Sequence, residues 1–203
     1  MSPFASLHDA TVVLDDRAVL RRISVEVGPG LTLVRGANGA GKTTLLRALA
    51  GLVPLAGGTR TVAIPPLYIG HRPMLLRGLT ARENLAFLGA FRRRTTVDVV
   101  GALRRWGLGE VMDRPVERLS AGQRRRAALA RLDTETQPLV LLDEPFADLD
   151  VDALLLLRAG INTALARGQS VLVATHLHHE LDQDANALHM IHDGTLETLS
   201  PRS

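Results

Sequence analysis

Residues 35–49 read RGANGAGKTTLLRAL, and this stretch holds Lys42, the only lysine in a chain whose Lys+Arg total is 24. A chain that uses arginine for every other basic position keeps lysine where a compact ammonium on a slim stem is needed and a broad planar guanidinium fails. The segment fits G-x-x-x-x-G-K-[ST] through Gly36, Gly41, Lys42 and Thr43, a pattern in which backbone N–H groups wrap the phosphates of a nucleotide. Gly36, Gly39 and Gly41 remove the Cβ atoms that would hold the backbone off the phosphate and permit positive φ angles. The β-like run LTLVR (31–35) precedes the loop and the helical pattern KTTLLRALAGL follows it. Strand, loop and helix in that order place phosphate at a helix N-terminus. Lys42 is then expected to reach the β- and γ-phosphates, and the Thr43 hydroxyl to meet Mg²⁺.

Working outward, 203 residues with 46% hydrophobic content suffice for a full core, and the length fits one domain with room for a sub-domain. The sequence shows neither a signal-peptide pattern nor an apolar run of about 18 residues, so the chain is expected on the cytosolic side. With no cysteine, disulfides, thiolate metal sites and C-x-x-C-H haem attachment are excluded. Net charge is +3. Arginines bunch at 92–94, 104–105 and 124–126, and these runs read as solvated helix faces, with contact to an anionic partner or membrane surface as the alternative.

Residues 11–27 (TVVLDDRAVLRRISVEV) alternate as paired antiparallel strands do, and GPG at 28–30 ends them. TVAI (61–64) and LYIG (67–70) predict short strands. Thr80 and Glu83 form a capping box ahead of NLAFLGAF (84–91), and VDVVGALRRW (97–106) is a helix closed by Gly107. Residues 72–132 therefore read as a helical insertion, with 1–71 and 133–203 forming the core. PLVLLDE (138–144) and SVLVATH (170–176) are apolar runs suited to a buried parallel sheet, with a helix over 151–168 between them. The fold class is α/β.

The strand 138–142 empties into Asp143 and Glu144 at its carboxyl end, where open α/β sheets bind ligands. Asp143 is a candidate Mg²⁺ ligand, directly or through water, and Glu144 a candidate base that polarises water aimed at the γ-phosphate. In RLSAGQRRRAALARL (118–132), Ser120 and Gln123 form a second capping box. Gly122 inside that first turn costs about 1 kcal/mol against alanine, which makes sense where a phosphate must approach free N–H donors. The five residues LSAGQ resemble the signature motif of ATP-binding cassette ATPases, with Ala121 in place of the commoner glycine.

The resemblance covers nearly the whole chain. GANGAGKTT (36–44) is similar to that family's Walker A loop, LVLLDE (139–144) to its Walker B strand, ADLD (147–150) to its D-loop and TH (175–176) to its switch histidine. It implies a P-loop NTPase core with a RecA-like parallel sheet, an N-terminal antiparallel β edge and a helical sub-domain, all in one cassette domain. It further implies that Gly36, Asn38, Gly39, Gly41, Lys42, Thr43 and Thr44 bind ATP, with Mg²⁺ on Thr43 and Asp143. Two copies would face head to tail, so that Ser120, Gly122 and Gln123 of one serve the nucleotide of the other, while Glu144 and His176 act in hydrolysis. Two departures stand out: no aromatic occurs between Phe4 and Tyr68 to stack on adenine, leaving Leu14 as the nearest match, and His71 replaces the glutamine of the family's Q-loop. A neutral imidazole nitrogen can accept a hydrogen bond as an amide oxygen does; a protonated one cannot.

IGHRP (69–73) with LTARENL (79–85), LSAGQRRR, LDEPFADLDVD and ATH together resemble the ATP-binding subunit of the haem exporter of cytochrome c maturation. That implies a homodimer of ATPase subunits, integral membrane transporter partners and a peripheral location on the cytoplasmic face of the inner membrane. Neither nucleic acid nor direct haem binding is expected, and His178, His179, His189 and His192 read as scattered loop histidines. A GTPase would need a base-reading lysine that the chain lacks, a small-molecule kinase has no use for LSAGQ, and nucleic-acid cassette ATPases usually need more chain. A transporter of another cargo remains open, because the cassette does not read its cargo.

Overall fold

A computed structural model describes residues 3–91, 98–147, 149–176, 181 and 183–199. Strands β1 (Ala5–Leu14) and β2 (Arg17–Val27) pair antiparallel. Asp15 and Asp16 join them at φ +47° and +59°, the left-handed turn whose twist matches two strands. The outer edge of β1 pairs with β4 (Gly57–Val62), giving the order β2-β1-β4. The sequence expects that strand at 61–64. Five of its six residues are exposed, so GGTRTV shows no apolar alternation to mark where it begins.

A six-stranded sheet runs β5 (Leu67–Ile69), β6 (Leu139–Asp143), β7 (Ser170–Thr175), β3 (Leu31–Arg35), β8 (Ala187–His192), β9 (Thr195–Leu199). All neighbours are parallel except β9, which returns antiparallel to β8 through Asp193 and Gly194, both at positive φ. Every residue of β3, β5, β6 and β7 is buried, which is why these strands read as unbroken apolar runs. Asp143 lies opposite Ala174, and Arg35 opposite Thr175. This register brings the carboxyl ends of three adjacent strands level, and the residues that follow them, Gly36, Glu144 and His176, emerge side by side.

Helix α1 (Lys42–Ala50) leaves the loop after β3 and buries Leu45, Leu46 and Leu49 in a cluster with Leu7, Leu20, Ile23, Leu141 and Leu172. Each such leucine contributes about 1.5–3 kcal/mol of burial. Gly51, at φ +74°, ends the helix with N–H bonds from Gly51 to the Ala48 carbonyl and from Leu52 to that of Arg47. These strands and α1 belong to one compact unit, residues Met1–Gly70, Gln137–Pro145 and Leu165–Ser203.

The second unit, His71–Thr136 with Phe146–Ala164, is helical: α2 (Ala81–Phe91), α3 (Val99–Arg105), α4 (Ala121–Leu129), α5 (Arg131–Thr134) and most of α6 (Val151–Ala166). The sequence reading keeps 146–164 with the core, whereas in the structure α6 groups with the helices. A Cβ on Gly160 would lie 3.2 Å from Leu132 Cδ1 and 3.3 Å from Trp106 Cζ2, so α6 packs there at glycine distance. Both predicted capping boxes form. Asp98 caps α3, and Gly107 follows it at φ +68°. Of the arginine runs, 92–94 lies outside the described residues. The run 124–126 is not a uniformly solvated face: Arg125 is buried and donates to the His71 carbonyl at 3.0 Å, because it follows the turn of α4 inward.

Candidate active site

The loop between β3 and α1 is shaped by what lies beneath it. A Cβ on Gly36 would come 2.4 Å from the Ile191 carbonyl oxygen, so this glycine is required by the close approach of β8. Gly39 stands in open space but at φ +81°, and Gly41, at φ +111°, forms the N-cap of α1. Among the described residues no side chain caps α1, which leaves its first N–H groups for an anion. Lys42 is 6% exposed and folds back over the loop. Its Nζ donates to the carbonyls of Gly36 (2.8 Å) and Ala37 (3.1 Å) and pairs with Glu144 Oε1 at 3.1 Å.

Asp143 is fully buried at the end of β6. Thr43 Oγ1 lies 3.0 and 2.9 Å from its two oxygens, and Tyr68 Oη donates to Oδ2 at 3.2 Å. A hydroxyl and a carboxylate side by side beneath the phosphate loop are the oxygen donors that a hard divalent cation takes. Glu144 follows at φ +45°, a left-handed conformation that costs a non-glycine residue about 1–3 kcal/mol. Three contacts hold it there: its N–H donates to the Ala174 carbonyl (2.8 Å), Oε1 meets Lys42, and Oε2 meets His176 Nδ1 at 2.9 Å. Burial pushes the Glu144 carboxyl upward, but the hydrogen bonds and charges of Lys42 and His176 outweigh it and bring the pKa below the ordinary glutamate value. Glu144 is therefore an ionised carboxylate, oriented by two cationic or polar partners, at any neutral pH. That equips it to accept a proton.

Beside the loop, Leu14, Arg17, Ala18 and Arg21 line a recess with Ala40 and Thr44. An aliphatic and arginine surface therefore stands where the sequence lacks an aromatic. On the loop's other flank, Asn38 and His176 line a second recess with Met190.

The first unit thus assembles Gly36, Asn38, Gly39, Gly41, Lys42, Thr43, Thr44, Asp143, Glu144 and His176 around one loop. His71, Ser120, Gly122 and Gln123 belong to the second unit. There Ser120 Oγ accepts from the Gln123 N–H at 3.1 Å and Gln123 Oε1 from the Ser120 N–H at 2.9 Å. Sequence reasoning missed Tyr68, read only as part of a strand, and Arg47, read only as part of a helix; the available signal was a lone tyrosine on a strand predicted to join the sheet. It also took His189 and His192 as loop residues, yet both lie on β8, and His189 is buried with Nδ1 3.0 Å from Thr198 Oγ1. His178 and His179 lie outside the described residues.

The family model described as "ABC transporter" matches residues 20–147. A cytochrome c biogenesis ATP-binding export protein, CcmA, from Ruegeria pomeroyi is 44% identical over 182 residues, covering 88% of each chain. The protein of the same name from Xanthomonas axonopodis pv. citri is 40% identical over 190 residues, covering 86% of this chain and 87% of its own. Among solved structures, an ATP-binding subunit of an ABC transporter superposes with a TM-score of 0.84 at 22% identity, covering 97% of this chain and 90% of its own. A dimeric ATP-binding cassette in a post-hydrolysis state bound to ADP and Pi gives 0.83 at 19% identity, over 98% and 99%.

Proposed function

Because the chain belongs to the ABC transporter family, and within it to the cytochrome c biogenesis ATP-binding export proteins, we propose that it hydrolyses ATP to drive an export complex whose cargo is haem or a haem-loaded chaperone. The observation that carries the catalytic part is the unbroken set of contacts Thr43–Asp143 and Lys42–Glu144–His176 at the carboxyl ends of adjacent strands. In this reading Lys42 exchanges its loop carbonyls for β- and γ-phosphate oxygens. Thr43 and Asp143 would hold Mg²⁺, which would neutralise charge on the phosphates. Glu144 orients water and accepts its proton, and His176 steadies that carboxylate and senses the γ-phosphate. The recess at Leu14, Arg17 and Ala18 receives the base.

Ser120, Gly122 and Gln123 would present the N-terminus of α4 to the nucleotide of a second copy, and His71 would stand in for the Q-loop glutamine. The membrane partner is read from the second unit, where Met74, Leu76, Phe87 and Phe91 are 65%, 44%, 49% and 72% exposed. Phe87 and Phe91 stack with centroids 6.4 Å apart, an apolar display suited to a protein partner. Among the described residues no helix is long and apolar enough to cross a membrane, which supports attachment to the inner-membrane face through that partner.

Glu144→Gln tests the mechanism. It keeps the shape of the site and removes the proton acceptor, so turnover in the assembled complex should fall by about 10²–10⁴ while ATP still binds. Trapped ATP should yield a dimer on size exclusion, and adding Ser120→Arg should abolish it. Undiminished turnover would remove Glu144 from the mechanism. Cells lacking the chain should fail to make holo-cytochrome c; normal c-type cytochromes in them would reject the cargo.

A further inference from the structure

Asp143 is shut away from water, and a buried carboxylate stays charged only where donors hold it. Thr43 is one donor, and in the function proposed above it is also a cation ligand. Tyr68, the only tyrosine in the chain and 7% exposed, is another, donating to Oδ2 at 3.2 Å. Tyr68 lies opposite Leu141 in the β5–β6 pair, two residues behind Asp143 along the neighbouring strand. Two residues of strand span about 6.6 Å. Of the hydroxyl-bearing side chains only tyrosine has that reach; serine and threonine at position 68 would fall short, and phenylalanine would arrive without a donor.

The tyrosine is itself held. Arg47 lies one helical turn beyond Thr43 on α1, on the same face, and its side chain hydrogen-bonds the Tyr68 hydroxyl. A phenol has one proton to give. With Arg47 donating to the oxygen, that proton is committed to Asp143, and a bond to a carboxylate is among the stronger kinds. The result is a closed circuit, with Thr43 and Arg47 from one helix and Tyr68 and Asp143 from adjacent strands.

We infer that Tyr68, itself fixed by Arg47, is a positioning residue that holds the Asp143 carboxylate towards Thr43, so that a divalent cation finds both oxygen ligands already in place. This rests on the reading of Thr43 and Asp143 as cation ligands. The circuit has no bearing on how Lys42 and the loop grip phosphate, so its loss should be felt through the metal alone.

The test compares Tyr68→Phe, which keeps the ring and removes the hydroxyl, with Arg47→Met and Asp143→Asn, using Mn²⁺ as the probe. Binding is followed by electron paramagnetic resonance with a non-hydrolysable ATP analogue, and analogue affinity is measured separately in EDTA. Tyr68→Phe should weaken Mn²⁺ binding about tenfold. It should leave metal-free analogue affinity within about twofold and shift the Mg²⁺ activation curve of hydrolysis without lowering its plateau. Arg47→Met, at an exposed position, should weaken Mn²⁺ binding about threefold, and it carries the test if the phenylalanine variant folds poorly. Unchanged Mn²⁺ affinity in either variant overturns the inference, as does an equal loss of metal-free analogue affinity, which would mean that Tyr68 merely anchors α1. Wild-type Mn²⁺ binding by Asp143→Asn would instead overturn the cation site itself.

Discussion

Helices α2 and α4 open with the same reciprocal arrangement, closed by a carboxylate in one and by an amide in the other. Thr80 Oγ1 accepts from the Glu83 N–H at 3.1 Å and Glu83 Oε2 from the Thr80 N–H at 2.8 Å. The corresponding distances at Ser120 and Gln123 are 3.1 and 2.9 Å. Backbone satisfaction is the same; charge is not. Backbone and side-chain bonds from Thr80 lower the pKa of Glu83, so a full negative charge sits on the positive end of α2 and neutralises it. The first turn of α4 has no acidic residue, and its positive end is left for an anion from elsewhere. Helix α1 goes further, with Gly41 at its N-cap and an ammonium folded over the loop. On the proposed reading, a helix that is to receive phosphate gives up the carboxylate that would stabilise it.

The comparison can be broken most severely at α1. Lys42→Arg should lose ATP affinity by about 100-fold, nearly as much as Lys42→Ala, because Nζ fits between carbonyls at 2.8 and 3.1 Å and a guanidinium does not. Nucleotide titration of the three proteins decides it, and near wild-type binding by the arginine variant would defeat the steric argument. Next comes an exchange of the two caps. Gln123→Glu should cut turnover and the ATP-dependent dimer by about 10- to 100-fold, since a carboxylate would face the partner's γ-phosphate, while thermal stability holds or rises slightly. Glu83→Gln should do the reverse, leaving turnover intact and lowering the melting temperature by no more than about 2 °C. If both exchanges act alike, the charge distinction between the caps has no functional meaning.

The smallest effect belongs to a charge far from any helix start. Burial lowers the pKa of His189, so the folded chain keeps it neutral while the unfolded chain takes up a proton below about pH 6.5. Its contribution is whole above that pH and declines as the pH falls towards the folded value. The melting temperature of the wild type should therefore drop more between pH 7.5 and 5.5 than that of His189→Gln.

What was legible in the sequence is what is local. The phosphate loop with its flanking strand and helix, both capping boxes, and the strands ending at Asp143 and Thr175 declare themselves within a dozen residues each. Placing Glu144 near the phosphate loop needed only the rule that ligands gather at the carboxyl ends of parallel strands, whereas His176 came from the resemblance to the cassette ATPases. The remainder depends on partners distant in the chain. Strand β4 is exposed and polar, and β8 interrupts its apolar pattern with two histidines, one of them buried against Thr198 of β9. The burial of Arg125 and the packing of Gly160 on Leu132 are likewise set by neighbours that sequence spacing does not reveal. Tyr68 and Asp143 are 75 positions apart. Their hydrogen bond follows from strand order, which no local pattern encodes.

The left-handed backbone at Glu144 has a consequence for selection. Glycine and asparagine adopt that conformation at ease, and glutamate does not. Replacing Glu144 by glycine would relieve that strain, but it would also leave the Lys42 ammonium, 6% exposed, without its carboxylate, and on the proposed mechanism it would remove the proton acceptor. A screen by expression or heat resistance alone therefore sets backbone relief against loss of the Lys42 pair at position 144, and only a selection that counts turnover tests whether hydrolysis needs the glutamate.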